Sequence, residues 1–445
     1  MKGKLIDIRV PPPGPNARKI VARADRALSP SFSRFYPLVV ERAHGCMVKD
    51  VDGNTYIDMN GGIAVLAVGS TPEPVVKAIK EQADKFLHYS YTDFYYRSIV
   101  DLANKLAEIT PGSFEKQVYY GNSGAEAVEA AMKLVRFHTK RPRYLAFAGG
   151  FHGRTMGSLS LTASKPTQVK GFSAMVPGVT HVPYPYCYRC PFHLKFPECD
   201  YYCVDFIGEQ VLEKYVPPEE VAAIFFEPIQ GEGGYVVPPD DYFRRLEKLL
   251  RPYGILLVDD EIQSGIGRTG KWFAIDYFGV KPDVVLMAKA MAAGLPLSAM
   301  VAKKEIMTWG PGSHASTFGA NPVAAAAALA TLSMIEDQGL LANAVKVGGH
   351  LRKRLEEMKE KYEIIGDVRG KGLMIGAEIV NGRRRKEFGA KHVENILDYA
   401  WRHGVLLISC GKSTLRFAPP LVIDDDTVDE AMEVVEAAVA RENGS

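Results

Sequence analysis

The sequence predicts an α/β protein built around a mostly parallel sheet. Residues 255–258 and 284–287 are apolar runs without polar alternation, which is typical of strands whose two faces are both buried. Further strand patterns at residues 117–121, 143–148 and 221–226 each lead into a helical pattern or a glycine-rich turn. With 445 residues, 47% of them hydrophobic, the chain is long enough for a large core and two domains.

The remaining elements, taken in order, surround this sheet. A proline-rich extended segment at residues 10–15 precedes a helical pattern at residues 17–28. Residues 46–59 alternate on both sides of Asp52-Gly53-Asn54, which predicts a β-hairpin. An amphipathic helix is predicted over residues 74–87.

The C-terminal part of the chain has a different pattern. After Gly339, helical patterns alternate with short strand patterns, and a last helix is predicted from Asp426. We therefore expect a large domain over residues 76–338 and a smaller α+β domain over residues 339–445, which residues 1–75 join.

Charge and composition argue against several classes of partner. The formal net charge is +2, so neither nucleic acid nor an anionic membrane is indicated. The first ten residues lack the apolar run of a signal peptide, and no apolar stretch is long enough for a membrane span. We expect a cytoplasmic protein that acts on small molecules.

Two acids and a lysine follow the buried strand patterns. Asp259 and Asp260 close the first run, and Lys289 comes shortly after the second. Since α/β sheets bind ligands at the carboxyl ends of their strands, this placement indicates a site. A lysine that forms a Schiff base and an acid on the ring nitrogen are the groups that pyridoxal phosphate requires. By themselves, the same residues also suit a capping aspartate and an exposed lysine.

The residues around this pair resemble a known family. The segments DDEIQSGIGRTG and MAKAMAAGLPLSA, with 29 residues from Asp260 to Lys289, are similar to motifs of the class III aminotransferases, which include ornithine and 4-aminobutyrate aminotransferases. The resemblance implies a fold-type I enzyme with a large, mostly parallel seven-stranded sheet domain and a smaller α+β domain. It implies pyridoxal 5'-phosphate as cofactor, Lys289 as the Schiff-base lysine, Asp260 as partner of the pyridinium nitrogen and Gln263 as a donor to the ring 3-oxygen.

A predicted helix start offers a place for the cofactor phosphate. Ser123 is a suitable N-cap with Glu126 at the third helical position, as in a capping box. A helix that begins directly after a strand presents free N–H groups to phosphate, although the pattern alone also suits a simple well-capped helix. The segment NSGAEA resembles the family's phosphate motif, which implies that Ser123, Gly124 and Ala125 hold the phosphate.

Two further motifs complete the implied cofactor site. In FHG the resemblance implies that Phe151 stacks on the cofactor ring, which supplies contact area without charge. No role beyond packing is indicated for His152. In STFGANP it implies that Thr317 reaches the phosphate bound by a neighbouring subunit. A homodimer, or a higher homo-oligomer with the active site at the interface, is therefore expected.

Four residues are implied in substrate binding. Arg154 is able to hold a substrate carboxylate with two parallel hydrogen bonds, as the matching arginine of the family does. Glu232 in GEGG would face Arg416 in LRFAPPL. Ile63 occupies a position where 4-aminobutyrate-type members carry isoleucine and ornithine-type members carry tyrosine, which favours an ω-amino acid.

The function predicted from these motifs is transamination of an amino donor such as 4-aminobutyrate with a 2-oxo acid acceptor such as 2-oxoglutarate. An amino-acid racemase or epimerase of the same fold is the alternative, since it would use the same lysine and cofactor. Retention of Glu232 and Arg416 favours transamination, because that pair lets one site accept two different substrates. A non-enzymatic zinc-binding protein is a third and much weaker hypothesis.

Four of the six cysteines lie close together in the sequence, at positions Cys187, Cys190, Cys199 and Cys203. Four thiolates are able to hold a structural zinc ion, although the spacing is not that of a common zinc ribbon. Two disulfides, or four free thiols in an aromatic-rich insertion, are the other interpretations. No catalytic metal is expected here.

Overall fold

The apolar runs form strands and the amphipathic segments form helices in the computed structural model, which describes residues 4–173 and 175–443. The strands of these residues, numbered in chain order, are β1 Val40–His44, β2 Met47–Asp50, β3 Thr55–Asp58, β4 Lys116–Gly121, β5 Arg143–Phe147, β6 Val179–Val182, β7 Val221–Phe226, β8 Leu256–Asp260, β9 Val284–Met287, β10 Ser298–Lys303, β11 Ile365–Lys371, β12 Met374–Asn381, β13 Glu387–Phe388, β14 Val405–Leu406, β15 Ile408–Cys410 and β16 Thr414–Phe417. The helices are α1 Pro15–Ala27, α2 Gly61–Ala64, α3 Glu73–Ala83, α4 Arg97–Ile109, α5 Gly124–Thr139, α6 Met156–Leu161, α7 Pro166–Val169, α8 Tyr202–Phe206, α9 Tyr242–Leu250, α10 Pro322–Asp337, α11 Leu340–Lys361, α12 Ala390–Arg402 and α13 Asp425–Asn443.

The backbone divides into two units. The larger unit is Pro74–Leu341, and the smaller unit combines residues 4–73 with residues 342–443. The larger unit carries a seven-stranded sheet in the order β4-β10-β9-β8-β7-β5-β6. Strand β10 runs antiparallel to β4 and β9, and all other neighbours are parallel. The mostly parallel sheet predicted from the sequence is confirmed.

The centre of this sheet is buried because α5 packs along it. The helix buries an apolar face that shares one hydrophobic cluster with side chains of β5, β7 and β9. Every residue of β7 and β9 is buried, which explains their lack of polar alternation. Strands β8 and β9 are parallel and pair Asp260 with Leu286, so their carboxyl ends meet at one edge.

The smaller unit contains two sheets. One has the order β1-β2-β3-β14 and the other β11-β12-β16-β15, with β13 added beside β12. The predicted hairpin forms from β2 and β3, with Met47 opposite Ile57, and its turn is held by the Asp50 carboxylate, which accepts the N–H groups of Asp52 and Asn54. Trp401 of α12 packs under this hairpin.

The helix predicted over residues 74–87 is shorter than expected and ends at Ala83. Beyond it the N–H of Lys85 turns to the carbonyl of Gln82, and the Gln82 side chain donates to the carbonyl of Phe86. The side chain thus satisfies a backbone group that a continuing helix would have used. The predicted helix was too long because Phe86 and Leu87 continue the apolar spacing of a helix beyond Ala83.

None of the six cysteines is in a disulfide, so neither of the two possible disulfides forms. Cys187, Cys190, Cys199 and Cys203 line one small cavity of about 20 Å³ together with aromatic side chains. Burial raises the pKa of Cys187 to about 11 and that of Cys203 to about 12. Among residues 4–173 and 175–443, no three His, Cys, Asp or Glu side chains are grouped so that they could hold a metal ion.

No helix within the described ranges is both long enough and apolar enough to span a membrane.

Candidate active site

A buried histidine holds the aspartate at the end of β8. Asp260 is 3% exposed, and its Oδ2 lies 2.7 Å from Nδ1 of His152, while its Oδ1 accepts the N–H of Ile262. Burial lowers the pKa of His152, but the hydrogen bond and charge of Asp260, together with the charge of Glu227, outweigh burial and raise that pKa. His152 therefore orients the Asp260 carboxylate rather than only filling space.

The acids on either side of Asp260 are buried in surroundings that favour their protonated forms. Burial raises the pKa of Asp259 well above its usual range, and the neighbouring charges of Glu261 and Asp260 raise it further. Burial also raises the pKa of Glu261 to about 8, against the hydrogen bond that Ser264 donates to it. Successive side chains of a strand point to opposite faces, so Asp259 and Asp260 do not share an environment. Asp260 is the acid that meets the histidine.

The N-terminus of α5 packs against Ile262, two residues beyond this aspartate. Ser123 caps the helix by accepting the N–H of Glu126 at 3.3 Å, as predicted. The Glu126 carboxylate, however, accepts the N–H of Asn122, one residue before the N-cap position that a capping box would use. Gly124 lies against Ile262, where an added Cβ would come within 2.9 Å of the isoleucine. Glycine therefore allows the free N–H groups of the first turn to approach the end of β8.

The loop after β5 and the loop after β7 share one carboxylate. Glu227 accepts the N–H of Phe151 and the N–H of Gly231, both at 2.8 Å. Gly231 in turn lies against Gln263, where a Cβ would meet the amide nitrogen at 2.3 Å. The Gln263 carbonyl oxygen accepts the hydroxyl of Tyr235 at 3.1 Å, which leaves its amide group as the donor.

Lys289 begins a one-turn 3₁₀ helix, Lys289–Ala292, directly beyond β9. Its φ is +31°, and Ala293, which ends the turn, has φ +48°. Such values are uncommon for residues other than glycine and persist only where the surrounding structure imposes them. The constrained backbone of this turn therefore sets the direction of the half-buried Lys289 side chain.

Arg154 and Glu232 lie at the exposed side of these loops. Arg154 is exposed, and its guanidinium carbon lies 5.6 Å from the centre of the Phe151 ring. Glu232 forms an ion pair with Lys165, whose Nζ is 2.6 Å from Oε1 of the glutamate. The lysine follows β5 and α6 in the chain and was not indicated by any sequence motif.

The Thr317 loop reaches the start of α5. Asn122 donates to the Ser316 hydroxyl at 3.0 Å, and that hydroxyl also accepts the N–H of Gly319. Thr317 itself is exposed, and the neighbouring Phe318 is 63% exposed. The loop thus holds Thr317 outward near the α5 N-terminus of its own chain.

The two remaining predicted residues belong to the smaller unit. Arg416 is buried on β16, between Gly376 of β12 and Ile408 of β15. Ile63 is 47% exposed and has φ +68° within the single turn α2. A β-branched residue at positive φ is a backbone outlier, which indicates that the local fold imposes the position of this side chain.

The larger unit therefore brings together residues that fit a phosphorylated pyridine cofactor. Gly124 and Gly231 allow the backbone to pack closely against Ile262 and Gln263, where a side chain would clash. The N-terminus of α5 offers N–H groups that suit a phosphate, and the Asp260 carboxylate, held by His152, suits a protonated ring nitrogen. This donor set agrees with the chemistry expected from the sequence.

Comparison with known proteins agrees with this geometry. The sequence model of the family described as aminotransferase class-III matches residues 29–439. The chain belongs to the class III aminotransferases. It is 44% identical to an alanine/serine racemase of Pyrococcus horikoshii over 97% of this chain and 92% of the relative, and 43% identical to a leucine/methionine racemase of Thermococcus litoralis over 95% of each.

Class III relatives with other activities are also similar. A probable 4-aminobutyrate aminotransferase of Bacillus subtilis is 36% identical over 94% of this chain and 96% of the relative. A solved aminotransferase structure from Bacillus anthracis superposes with a TM-score of 0.89 at 29% identity, covering 96% of this chain and 99% of that one. The predicted fold-type I architecture and enzyme class are confirmed, and enzymes of this family are dependent on pyridoxal phosphate.

Three residues of this class III site escaped the sequence analysis. His152 was expected only to pack, and no role was predicted for Glu227 or Lys165. Each makes its defining contact with a residue distant in the chain, 108 positions away for His152 and 67 for Lys165. His152 lies in the FHG motif and Glu227 in the segment EPIQGEGG. An imidazole or carboxyl group inside such a motif was the signal that could have indicated a role for each.

Proposed function

We propose that this class III enzyme binds pyridoxal 5'-phosphate and inverts the α carbon of an amino acid, as a racemase or epimerase. The observation that carries the proposal is the order of similarity. Relatives named as racemases are 43–44% identical over nearly the whole chain, against 36% for the relative named as a 4-aminobutyrate aminotransferase. The transamination favoured by the sequence motifs becomes the second candidate.

The cofactor would be held by residues of the larger unit. We assign the phosphate to Ser123, Gly124 and Ala125, the ring face to Phe151, the ring nitrogen to Asp260 and the ring 3-oxygen to Gln263, with Thr317 serving the phosphate of a partner subunit. When bound, the cofactor withdraws electrons from the α carbon of an attached amino substrate.

Lys289 would act as base and acid at the substrate α carbon. Its Nζ would hold the bound cofactor and, once free, would exchange the α proton on one face of the substrate. Inversion also requires a second proton donor that acts on the opposite face. Asp260, oriented by His152, would favour protonation of the ring nitrogen.

The test is incubation of the enzyme with one L-amino acid, pyridoxal phosphate and no oxo acid. A panel containing alanine, serine, leucine, methionine and isoleucine should yield the D-isomer of at least one member, measured by chiral chromatography. Lys289→Ala should yield none. Absence of any D-isomer across the panel, combined with amine transfer to 2-oxoglutarate, would reject racemisation in favour of transamination.

Transamination of an ω-amino acid with a 2-oxo acid is the second candidate, favoured by the exposed Arg154 beside Phe151 and by the carboxylate of Glu232. Arg154 would hold the distal carboxylate of a 4-aminobutyrate-like donor. Arg416 would bind the second carboxylate of 2-oxoglutarate and pair with Glu232 when that substrate is absent. Arg416→Lys should then impair the half-reaction with 2-oxoglutarate far more than the half-reaction with the ω-amino donor, since lysine lacks the bidentate fork.

A further inference from the structure

Glu227 occupies a position that none of the roles assigned above uses. It follows β7 directly, is 5% exposed and accepts two backbone N–H groups, one on each carboxylate oxygen. Its carbonyl oxygen accepts the hydroxyl of Tyr184 at 3.0 Å, which fixes its own backbone. A buried carboxylate with two backbone donors is a strong and directional link.

The two N–H groups belong to two loops of the proposed cofactor site. One is that of Phe151, the residue assigned to the ring face, and the other is that of Gly231, which packs against Gln263. A shift of either loop would change the gap into which a planar ring must fit. A single side chain therefore ties together the stacking wall and the wall that carries the hydrogen-bond donor.

We propose that Glu227 is a positioning residue that clamps the Phe151 loop to the Gly231 loop and tightens when its carboxyl group ionises. The inference rests on the proposed cofactor site. Glu227 itself need not touch the cofactor, because it acts through the backbone of the two residues it binds.

Charges around the clamp place its titration in the neutral range. Burial raises the pKa of Glu227 to about 7; the charge of His152 and the two N–H donors oppose this, while the charge of Asp260 adds to it. The titratable groups facing Glu227 are thus His152 and Asp260, with Tyr184 at its backbone. Above pH 7 the ionised carboxylate accepts both N–H groups at full strength, and below it the added proton converts one oxygen into a donor.

The chain provides a matched control. Glu129 of α5 also accepts two backbone N–H groups, those of Gly157 at 2.9 Å and Ser158 at 3.1 Å, but it caps α6 and joins no wall of the site. Both of these N–H groups are accepted by Oε1 of Glu129, so the carbonyl oxygen of a glutamine can keep them in Glu129→Gln. In Glu227→Gln the amide nitrogen cannot accept the second N–H group, so only this variant should release one of the two loops. Glu129→Gln is thus the control for loss of a backbone-bound charge alone.

The experiment is titration of the cofactor-free protein with pyridoxal phosphate between pH 6 and pH 9, with binding followed by absorbance and folding by thermal melting. For the wild-type protein we expect affinity to fall below pH 7. Glu227→Gln should bind pyridoxal phosphate about tenfold more weakly at pH 8 and should lose the fall in affinity near pH 7. Glu129→Gln should keep both the wild-type affinity and the step, that is, the fall in affinity near pH 7. Glu227→Asp, which keeps the charge but shortens the reach, should bind weakly and keep a step.

Wild-type affinity and pH dependence in Glu227→Gln would overturn the clamp, as would an equal loss of affinity in Glu129→Gln. If Glu227→Gln fails to fold, Glu227→Asp decides by affinity alone, and wild-type affinity in that variant would overturn the clamp. A wild-type protein that binds no pyridoxal phosphate at any pH would reject the proposed function itself, and binding without the predicted variant effects would reject the clamp alone.

Discussion

At the scale of single residues, the environment of Asp260 separates it from the acids beside it. Asp259 and Glu261 lie in surroundings that keep carboxyl groups protonated, while Asp260 meets a histidine whose pKa that contact raises. Asp259 and Asp260 differ because successive positions of a strand point to opposite faces, and Glu261, beyond the end of β8, is held by the N–H of Ile275 and the hydroxyl of Ser264.

Replacement of Asp260 tests this assignment. Asp260→Asn keeps the shape but loses the charge that would hold a proton on the cofactor ring nitrogen, so turnover should fall about 100-fold or more. Cofactor should still bind through its phosphate. Asp259→Asn is the control and should retain most activity, since burial already keeps Asp259 neutral. Steady-state kinetics that show near-normal turnover in Asp260→Asn would contradict the assignment.

At the scale of elements, α5 links the fold to the site. Its buried face anchors it on the sheet, and its first turn reaches the end of β8 through Gly124. Part of this was predictable from Ser123, because a cap acts on residues that adjoin it in sequence. Only one half of the predicted capping box forms, since the Glu126 carboxylate accepts the N–H of Asn122 rather than that of the N-cap residue.

Loss of the α5 cap should weaken both stability and cofactor binding. Ser123→Ala removes the acceptor for the Glu126 N–H, which should cost about 1 kcal/mol of folding free energy. Because the same helix end is assigned to the phosphate, affinity for pyridoxal phosphate should also fall. Asp424→Ala removes the acceptor for Thr427 at the start of α13 in the smaller unit.

Denaturant unfolding and cofactor titration distinguish the two effects. Asp424→Ala should lose comparable stability without any change in cofactor affinity. If both variants affected cofactor binding equally, the phosphate assignment at α5 would be wrong.

At the scale of the whole molecule, the buried acids predict how stability depends on pH. The pKa of Glu261 rises from 4.5 to about 8 on folding, so the folded protein retains a proton that the unfolded chain loses. The contribution to stability is complete below pH 4.5 and is lost as the pH rises through about 8. Thermal unfolding midpoints should therefore decline over this range, and Glu261→Gln should flatten the decline. An unchanged slope in the variant would show that Glu261 ionises normally.

Assembly is the second prediction at this scale. If Thr317 serves the phosphate bound by a partner subunit, the active enzyme must contain at least two chains. Light scattering should then give a dimer or larger species, and Thr317→Ala should release cofactor more readily, with about tenfold weaker binding. Asn122→Ala, which frees the loop from α5, should have a similar but smaller effect. A fully active monomer would refute the shared site.

The sequence by itself determined the features that neighbouring residues encode. The apolar runs at β8 and β9, the hairpin turn after Asp50 and the N-cap at Ser123 depend on local periodicity and local hydrogen bonds, and each was predicted. The motifs around Asp260 and Lys289 determined the family in the same way, because their order and spacing are properties of the chain alone.

Only the tertiary structure decided which side chains meet. His152 reaches Asp260 across 108 positions because β5 and β8 flank β7 in one parallel sheet, an order that periodicity does not record. Lys165 reaches Glu232, and Glu227 reaches the N–H of Phe151, for the same reason. Strand order sets the distance between loops at the sheet edge, and burial at that edge raises the pKa of Glu227, Asp259 and Glu261. Neither quantity can be read from residues that are adjacent in the chain.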